Sequence, residues 1–429
     1  MSHANCLDYL ERRGLLPLSL SPFCEVDSLI LSICAYVDFD GILSGPQEDR
    51  FLPLPQVVSA RMGQRTWDEL GLFLDEDIPY LLQRVAASPR FASFRMGGYQ
   101  NIRDETTGIQ FAAVTFRLPD GTLFAAFRGT DDSLVGWKEC FSMSFSAAVP
   151  AQRQSETYLA DLAAGQSGKL RLGGHSKGGN LAIWAAVHAD PLVRDRILRV
   201  YNHDGPGFSR DLTRSPAYRA LSGRIVTFIP QSSVVGILLH QDSHYQVIHS
   251  LGTGTVGQHD PFSWEVDGPR FVYLSRRSAM GRRSAAALQG WIASMNTEER
   301  EEFTSVLFDL LASTNAKTLS QLTDSLVDGA FAIVKAYADL DRTTRWEMLR
   351  YLRRLLVNLG TGGRTGCSPR LPGRRPILGP HASFIPPKKG EFHEYRRSLR
   401  RPGGRTDRRD PRKSPSLSRH RLESQQPEK

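Results

Sequence analysis

The stretch Lys169–Ala189, KLRLGGHSKGGNLAIWAAVHA, decides the fold. It begins with an alternating β-strand pattern, passes through a glycine-rich segment at 173–179, and continues with small and apolar residues at helical spacing. The pattern Gly-x-Ser-x-Gly at 174–178 therefore lies between a predicted strand and a predicted helix, which is the context of a nucleophile elbow. A serine on such a sharp turn has strained dihedrals, and the close passage of neighbouring chain favours glycine around it. The stretch predicts that Ser176 is a nucleophile; the alternative is a glycine-rich turn whose serine caps the helix.

Strands and helices alternate on both sides of this stretch. Upstream, residues 111–116 and 123–127 are apolar strands around a Pro-Asp-Gly turn. Downstream, residues 197–201 and 224–229 predict two more strands, and 270–274 a short closing strand. This order predicts an α/β fold with a mainly parallel, doubly wound sheet. In such sheets the functional loops lie at the carboxyl ends of the strands.

A serine nucleophile needs a base, an acid that orients the base, and donors for the oxyanion. In hydrolases built on a sheet of this kind, the acid and then the histidine follow the serine along the chain, so the base is expected downstream of Ser176. His259 is favoured because glycines bound its loop, which precedes the closing strand. His244 and His249 are the alternatives, and the default role for each of the three is that of a surface-loop histidine.

The composition bounds the class of protein. With 429 residues, of which 40% are hydrophobic, most of the chain can bury a sizeable core. The first residues lack the apolar run of a signal peptide, and no apolar stretch reaches the roughly 18 residues of a membrane span. The five cysteines are scattered without a C-x-x-C pair, which argues against a disulfide framework and a zinc site. We expect a cytoplasmic protein, and a serine hydrolase needs no metal or organic cofactor.

The net charge of +9 comes from one end of the chain. Residues 363–429 hold 18 Lys and Arg against 6 Asp and Glu, so residues 1–362 carry a net charge of −3. The segment is rich in Pro, Gly, Ser and Arg and poor in aliphatic residues, which predicts a disordered basic tail. Such a tail can contact an acidic membrane surface or nucleic acid through phosphates, and a solvated tail with weak, salt-sensitive contacts is the favoured interpretation.

Three segments follow from these patterns. Residues 1–290 are predicted to form the α/β domain with an N-terminal helical extension, in which 26–37 is an amphipathic helix on the outside of the domain. Residues 291–362 predict a helical segment packed on that domain, with a capping box at Asn296–Glu299. An independent partner-binding module is the alternative for this segment. Residues 363–429 are the tail.

Five motifs carry a resemblance to known families. They are FRGT at 127–130, GGHSKGGNLA at 173–182, NHDGPGF at 202–208, IPQSSVVG at 229–236 and QHDPFSWEV at 258–266. Together they resemble a bacterial α/β-hydrolase family catalogued only as a domain of unknown function and related to fungal-type (class three) lipases. The resemblance implies an α/β-hydrolase-type sheet and a lipid or other small-molecule ester as substrate. It also implies that the backbone N–H groups of Thr130 and Lys177 form the oxyanion hole, with the Thr130 hydroxyl as a further donor.

The acid departs from the lipase pattern. Fungal-type lipases carry an aspartate just after the strand that matches 224–229, where this chain has Ser233 and no carboxylate. Asp204, at the end of the preceding strand, is the favoured replacement because an acid there can still reach the base and its neighbouring glycines allow a tight turn. Asp242 is the alternative, and Asp260 is disfavoured because adjacent side chains point apart.

The sequence thus predicts a serine hydrolase of lipase/esterase type, in which Ser176, His259 and Asp204 cleave a carboxylic ester through an acyl-enzyme. The alternative is a catalytically silent hydrolase fold that serves as a binding or scaffolding module, with the helical segment and the tail as its contacts. The absence of a carboxylate after residues 224–229 is the feature that favours this alternative.

Overall fold

Parallel strands form the centre of a nine-stranded sheet, and antiparallel strands complete its two edges. The computed structural model describes residues 4–63, 77–131, 133–241, 245–318, 321 and 326–361. The strands are β1 (Leu52–Pro53), β2 (Arg95–Asp104), β3 (Ile109–Arg117), β4 (Leu123–Phe127), β5 (Leu170–His175), β6 (Ile197–His203), β7 (Ile225–Pro230), β8 (Tyr245–Ile248), β9 (Val266–Asp267), β10 (Arg270–Phe271) and β11 (Tyr273–Leu274).

The order of strands in the large sheet is β1-β2-β3-β4-β5-β6-β7-β8-β11. The strands from β4 to β8 are parallel to their neighbours, whereas β1 to β4 and the β8–β11 pair are antiparallel. β9 and β10 form a separate two-stranded ribbon. The predicted α/β fold with a parallel centre is confirmed, and the sheet has more antiparallel strand at its edges than the sequence pattern predicts.

Helices cover both faces of the sheet. In the described ranges the helices are α1 (Cys6–Arg13), α2 (Glu25–Cys34), α3 (Leu54–Met62), α4 (Asp77–Ala87), α5 (Leu134–Ser142), α6 (Pro150–Gly165), α7 (Lys177–His188), α8 (Pro191–Arg194), α9 (Arg210–Arg214), α10 (Pro216–Leu221), α11 (Ala279–Ala293), α12 (Thr297–Ala312), α13 (Leu326–Asp339) and α14 (Arg342–Thr361). α6 and α7 contribute to the apolar core on one face of the sheet, and α1, α2 and α4 contribute to the core on the other face.

The central strand β4 explains why its sequence is continuously apolar. Leu123, Ala125 and Phe127 belong to the core beneath α6 and α7. Phe124 and Ala126 belong to the core beneath α2. Successive side chains of a strand point to opposite faces, and both faces of this sheet are covered, so no position of β4 remains polar.

The helix predicted at 26–37 is present as α2, but the prediction that it lies outside the domain is wrong. Every residue of Val26–Cys34 is buried, because α2 lies on β4 and β5 and is itself covered by α1 and α4. The polar residue Asp27 has a buried partner, Arg90, with 2.5 Å between Nη2 and Oδ2. This ion pair gives the carboxylate a buried partner, so the helix needs no exposed polar face.

The C-terminal helices have a small core of their own. The predicted capping box is confirmed at the start of α12, where Asn296 Oδ1 accepts from Glu299 N at 2.7 Å and Glu299 Oε2 accepts from Asn296 N at 3.0 Å. α12 also contacts α5, since the rings of Phe141 and Phe308 lie 5.6 Å apart in a T-shaped arrangement. The buried residues of this core are Trp291, Met295, Phe303, Met348 and Tyr351.

The chain separates into two compact units, Met1–Cys367 and Ser368–Lys429. The second unit lies outside the described residues, as does the tail predicted at 363–429. Within the ranges given above, no helix has both the length and the apolar character needed to cross a membrane.

Candidate active site

Ser176 occupies a strained turn between β5 and α7. Its dihedrals are φ 59° and ψ −134°, a conformation that side-chain-bearing residues rarely adopt. The glycines on either side are required by close contacts: a Cβ on Gly174 would lie 2.2 Å from the carbonyl carbon of Gly178, and one on Gly178 would lie 2.0 Å from the oxygen of Phe127. The strained serine and the need for glycine around it were both predicted, and both are confirmed.

Asp204 and His259 are hydrogen bonded to each other. His259 Nδ1 lies 2.7 Å from Asp204 Oδ2. Asp204 directly follows β6, whereas His259 lies in a short helical turn of the loop between β8 and β9. Asp204 is fully buried and has φ 56°, so the left-handed backbone at the aspartate itself directs the carboxylate inward. Gly205 is required for another reason: its backbone passes so close to Ser176 that a Cβ at 205 would lie 2.5 Å from the carbonyl oxygen of Ser176.

Two donors from the loop after β7 hold the same carboxylate. Ser233 Oγ donates to Asp204 Oδ2 at 2.5 Å, and the backbone N of Gly236 donates to Asp204 Oδ1 at 3.1 Å. Arg277 Nη2 in turn donates to the carbonyl oxygen of Ser233 at 2.6 Å. Burial raises the pKa of Asp204 above its usual value, and the hydrogen bonds from His259 and Ser233 oppose that effect. Ser233, which stands where the lipase pattern has a carboxylate, thus donates a hydrogen bond to Asp204.

His175, the residue before the serine, fixes the loop that carries His259. Its Nε2 donates to the carbonyl oxygen of His259 at 2.9 Å, and the two rings stack with 4.5 Å between centroids. The other ring nitrogen, Nδ1, therefore carries no proton and accepts from the Tyr36 hydroxyl at 3.1 Å. Burial lowers the pKa of His175 well below its usual value, so this ring is neutral. The roles of His175 and Tyr36 were not predicted, since only their positions in the fold distinguish them from other core residues.

Ser176, His259 and Thr130 line one cavity of about 300 Å³. A neutral His259 that donates from Nδ1 to the carboxylate keeps an unprotonated Nε2. Thr130 follows the carboxyl end of β4, as predicted, and its buried hydroxyl has the Cys140 thiol, a weak hydrogen-bonding group, beside it. The serine, the imidazole and the Thr130 hydroxyl therefore border the same space.

The Lys177 side chain is buried in the protein interior and makes its contacts there. Its Nζ donates to Gln110 O at 2.7 Å and to Glu139 Oε2 at 2.7 Å, and the ion pair is fully buried. The backbone N–H of Lys177 lies in the first turn of α7, where no intrahelical acceptor is available. Only that N–H matches the role that the resemblance implies for this residue. The buried Lys–Glu pair was not foreseen, because nothing in the sequence links positions 177 and 139.

Two of the residues that the sequence analysis weighed against His259 and Asp204, namely His249 and Asp260, have other partners in the structure. His249 is half-buried and its Nδ1 contacts Glu265 Oε2 at 2.6 Å. Asp260 accepts from the backbone N of Phe262 at 2.9 Å and so caps its own turn. Asp242 and His244 lie outside the described residues. Among the residues with described side chains, no group of three or more His, Cys, Asp or Glu is placed to hold a metal ion.

Comparisons with known proteins place the chain in a family. Residues 85–309 match the Mbeg1-like family, and no curated protein matches the chain. Among solved structures, the crystal structure of M37 lipase is similar at 14% sequence identity, covering 50% of this chain and 69% of that one with a TM-score of 0.31. The family match spans more than half of the chain and includes Thr130, Ser176, Asp204 and His259. The protein belongs to the Mbeg1-like family.

Proposed function

We propose that this chain is a serine hydrolase of lipase/esterase type, which cleaves a carboxylic ester through an acyl-enzyme. The observation that carries the proposal is the 2.7 Å hydrogen bond between His259 and Asp204, beside a cavity that His259 lines together with Ser176. An imidazole that donates from Nδ1 keeps its lone pair on Nε2, and that nitrogen can accept a proton from a serine hydroxyl.

In the proposed mechanism, Ser176 Oγ attacks the carbonyl carbon of the ester while His259 Nε2 takes the hydroxyl proton. Asp204 stabilises the imidazolium that forms, and the backbone N–H groups of Thr130 and Lys177 bind the oxyanion, each contributing about 10²–10³ in rate. Collapse breaks the ester bond, and His259 returns the proton to the departing alcohol. Water then attacks the acyl-enzyme with the help of the same base, which releases the carboxylic acid and restores Ser176.

The silent-scaffold alternative rested on the absence of a carboxylate after β7. Asp204 lies within hydrogen-bond distance of His259, so that absence no longer favours a silent site. Kinship with fungal-type (class three) lipases is part of the proposal and rests on the motifs around Thr130 and Ser176. The cytoplasmic location and the tail's contact with an acidic membrane surface or nucleic acid stay predictions.

A fluorophosphonate probe, followed by intact mass and peptide mapping, tests the proposal. We expect one adduct, on Ser176, which disappears in Ser176→Ala and persists in the matched control Ser222→Ala, a change at an exposed serine far along the chain. The proposal fails if the wild-type chain stays unlabelled while a known serine hydrolase in the same sample reacts. An adduct that survives Ser176→Ala assigns the nucleophile to another residue.

A further inference from the structure

The cavity at Ser176 is apolar over most of its wall. Polar residues interrupt this wall, among them Ser176 and His259 and, from α12, Arg300. The remaining wall comes from α5, the loop after β7, and the C-terminal helices; among its members are Trp137, Phe141, Leu238, Leu288, Ile292 and Phe303. A concave site with few polar groups and a large apolar wall is built to take an apolar ligand with one polar end.

Contacts between α12 and the segment after α5 fix the outer wall. Arg300 Nη1 donates to the carbonyl oxygen of Ser144 at 2.6 Å, and its Nε donates to the oxygens of Ile292 and Met295 at 3.1 Å each. The backbone N of Leu134, at the start of α5, donates to the oxygen of Lys317 at 2.9 Å. Hydrogen bonds therefore join α12 to the segment after α5 and the start of α5 to the segment after α12, which holds these two parts of the wall together.

One donor in the cavity's wall lacks a partner. Trp137 Nε1 is buried and makes no hydrogen bond within the described ranges. A buried donor without a partner is costly, so such a group normally meets a water or a ligand oxygen. An ester oxygen is an acceptor of the kind that would satisfy it.

The volume leaves room for a ligand with a chain. A cavity of about 300 Å³ is far larger than the roughly 10–15 Å³ that one water molecule needs, so it can hold a chain of several carbons. We propose that the substrate is an ester with one apolar chain, which lies between α5 and the C-terminal helices α11 and α12. This inference rests on the proposed serine hydrolase function and adds the substrate class and the elements that select it.

Hydrolysis of p-nitrophenyl esters with acyl chains of increasing length measures the chain preference. We expect kcat/KM to rise about fourfold per methylene until the chain fills the cavity and then to fall. A second series, acetate esters of alcohols of increasing length, distinguishes an acyl chain from an alkyl chain as the occupant. A rate that is independent of chain length in both series, or highest for the shortest ester, overturns the inference.

Two changes in the wall should move the optimum in opposite directions. Leu288 and Ile292 are half-buried on α11 and face the cavity. Leu288→Trp fills space and should shift the optimum to shorter chains, whereas Ile292→Ala adds space and should shift it to longer ones. The matched control is Leu349→Trp, on α14, because Leu349 is 53% exposed and does not line the cavity. An unchanged optimum in both wall variants contradicts the assignment of α11 to the site.

Binding to Ser176→Ala separates this inference from the proposed function. Titration of that variant with methyl esters of fatty acids should give affinity that increases with chain length and levels off once the chain fills the cavity. The same binding profile in a chain that hydrolyses no ester and takes no fluorophosphonate supports the cavity's occupant while the hydrolase proposal fails. Labelling of Ser176 together with flat kinetics and flat binding leaves the hydrolase proposal standing and overturns the chain-length inference.

Discussion

Two neighbouring loops at the carboxyl edge of the sheet contribute different groups to one hydrogen-bonded cluster: the loop after β6 supplies a carboxylate, and the loop after β7 supplies a hydroxyl that donates to it. The loop after β6 carries Asp204, and the loop after β7 carries Ser233, whose hydroxyl lies 2.5 Å from the Asp204 carboxylate. Both side chains are fully buried, and the two strands are parallel neighbours. Adjacent strands lie about 4.8 Å apart, so the ends of both are within a side chain's reach of one imidazole. One carboxylate at this edge thus contacts both the imidazole of His259 and a hydroxyl of the neighbouring loop.

The two loops differ in what fixes them. The loop after β6 lies against the nucleophile turn itself: Gly205 approaches the backbone of Ser176 and Asn180 so closely that a Cβ would lie within 2.9 Å of both. The loop after β7 is fixed from outside, by the hydrogen bond from Arg277 to Ser233 O. An acid on the loop after β6 is therefore positioned by the same turn that positions the serine, while Ser233 adjusts the acid from the other side.

Asp204→Asn should give the largest effect and breaks the comparison at its acid. We expect kcat to fall about 10⁴-fold, because an amide oxygen and nitrogen no longer select the imidazole tautomer that keeps Nε2 unprotonated. Asparagine tolerates the left-handed backbone at this position, so the fold should survive. Steady-state kinetics with a p-nitrophenyl ester measure the effect.

The control for that experiment is Asp260→Asn, at the residue next to His259. Asp260 accepts a hydrogen bond from its own turn and should alter kcat by less than about tenfold. If kcat falls equally in both variants, Asp204 is not the acid that orients His259, and the proposed difference between the two loops is wrong.

The positions of the site residues could be predicted from the sequence, whereas the residues that hydrogen bond to them could not. Ser176, Asp204 and His259 stand in motifs whose glycines and position after strands mark them as loop residues at the carboxyl edge. The donors to Asp204 and the neutral His175 could not be predicted, because their roles depend on contacts between residues distant in the chain. The same reason explains the error over α2: Asp27 reads as a surface residue until Arg90, 63 positions away, is known to bind it.

The double change Asp204→Asn with Ser233→Asp sharpens the comparison, because it moves the carboxylate from the loop after β6 to the loop after β7. A carboxylate at 233 would lie close to the place now held by the Asp204 oxygens, since the two side chains are in hydrogen-bond contact. We expect it to restore about 10² of the 10⁴ lost in Asp204→Asn alone. Thermal unfolding of both variants checks that the comparison is between folded proteins. No gain over the single variant means that the loop after β7 cannot present an acid to His259.

Ser233→Ala should have the smallest effect, and it tests whether Ser233 positions the acid. A hydrogen bond to a charged group contributes about 1.5–3 kcal/mol, but Gly236 N and His259 Nδ1 remain as donors, so we expect kcat/KM to fall about tenfold. Loss of the Ser233 donor disfavours the carboxylate form and raises the pKa of Asp204 further in the direction that burial already drives it. The acid limb of the pH–rate profile should consequently move to higher pH, a change that a merely destabilised protein would not produce.

Two variants make this last measurement specific. Ser232→Ala removes the neighbouring hydroxyl, which contacts Ser278 Oγ at 2.6 Å and not the acid, and it should leave the acid limb in place. Ser233→Thr keeps a hydroxyl at the same position and should restore the wild-type limb. A limb that moves equally in Ser232→Ala and Ser233→Ala would assign the effect to the loop as a whole. A limb that moves only when the 233 hydroxyl is lost assigns the effect to the hydrogen bond between Ser233 Oγ and the Asp204 carboxylate.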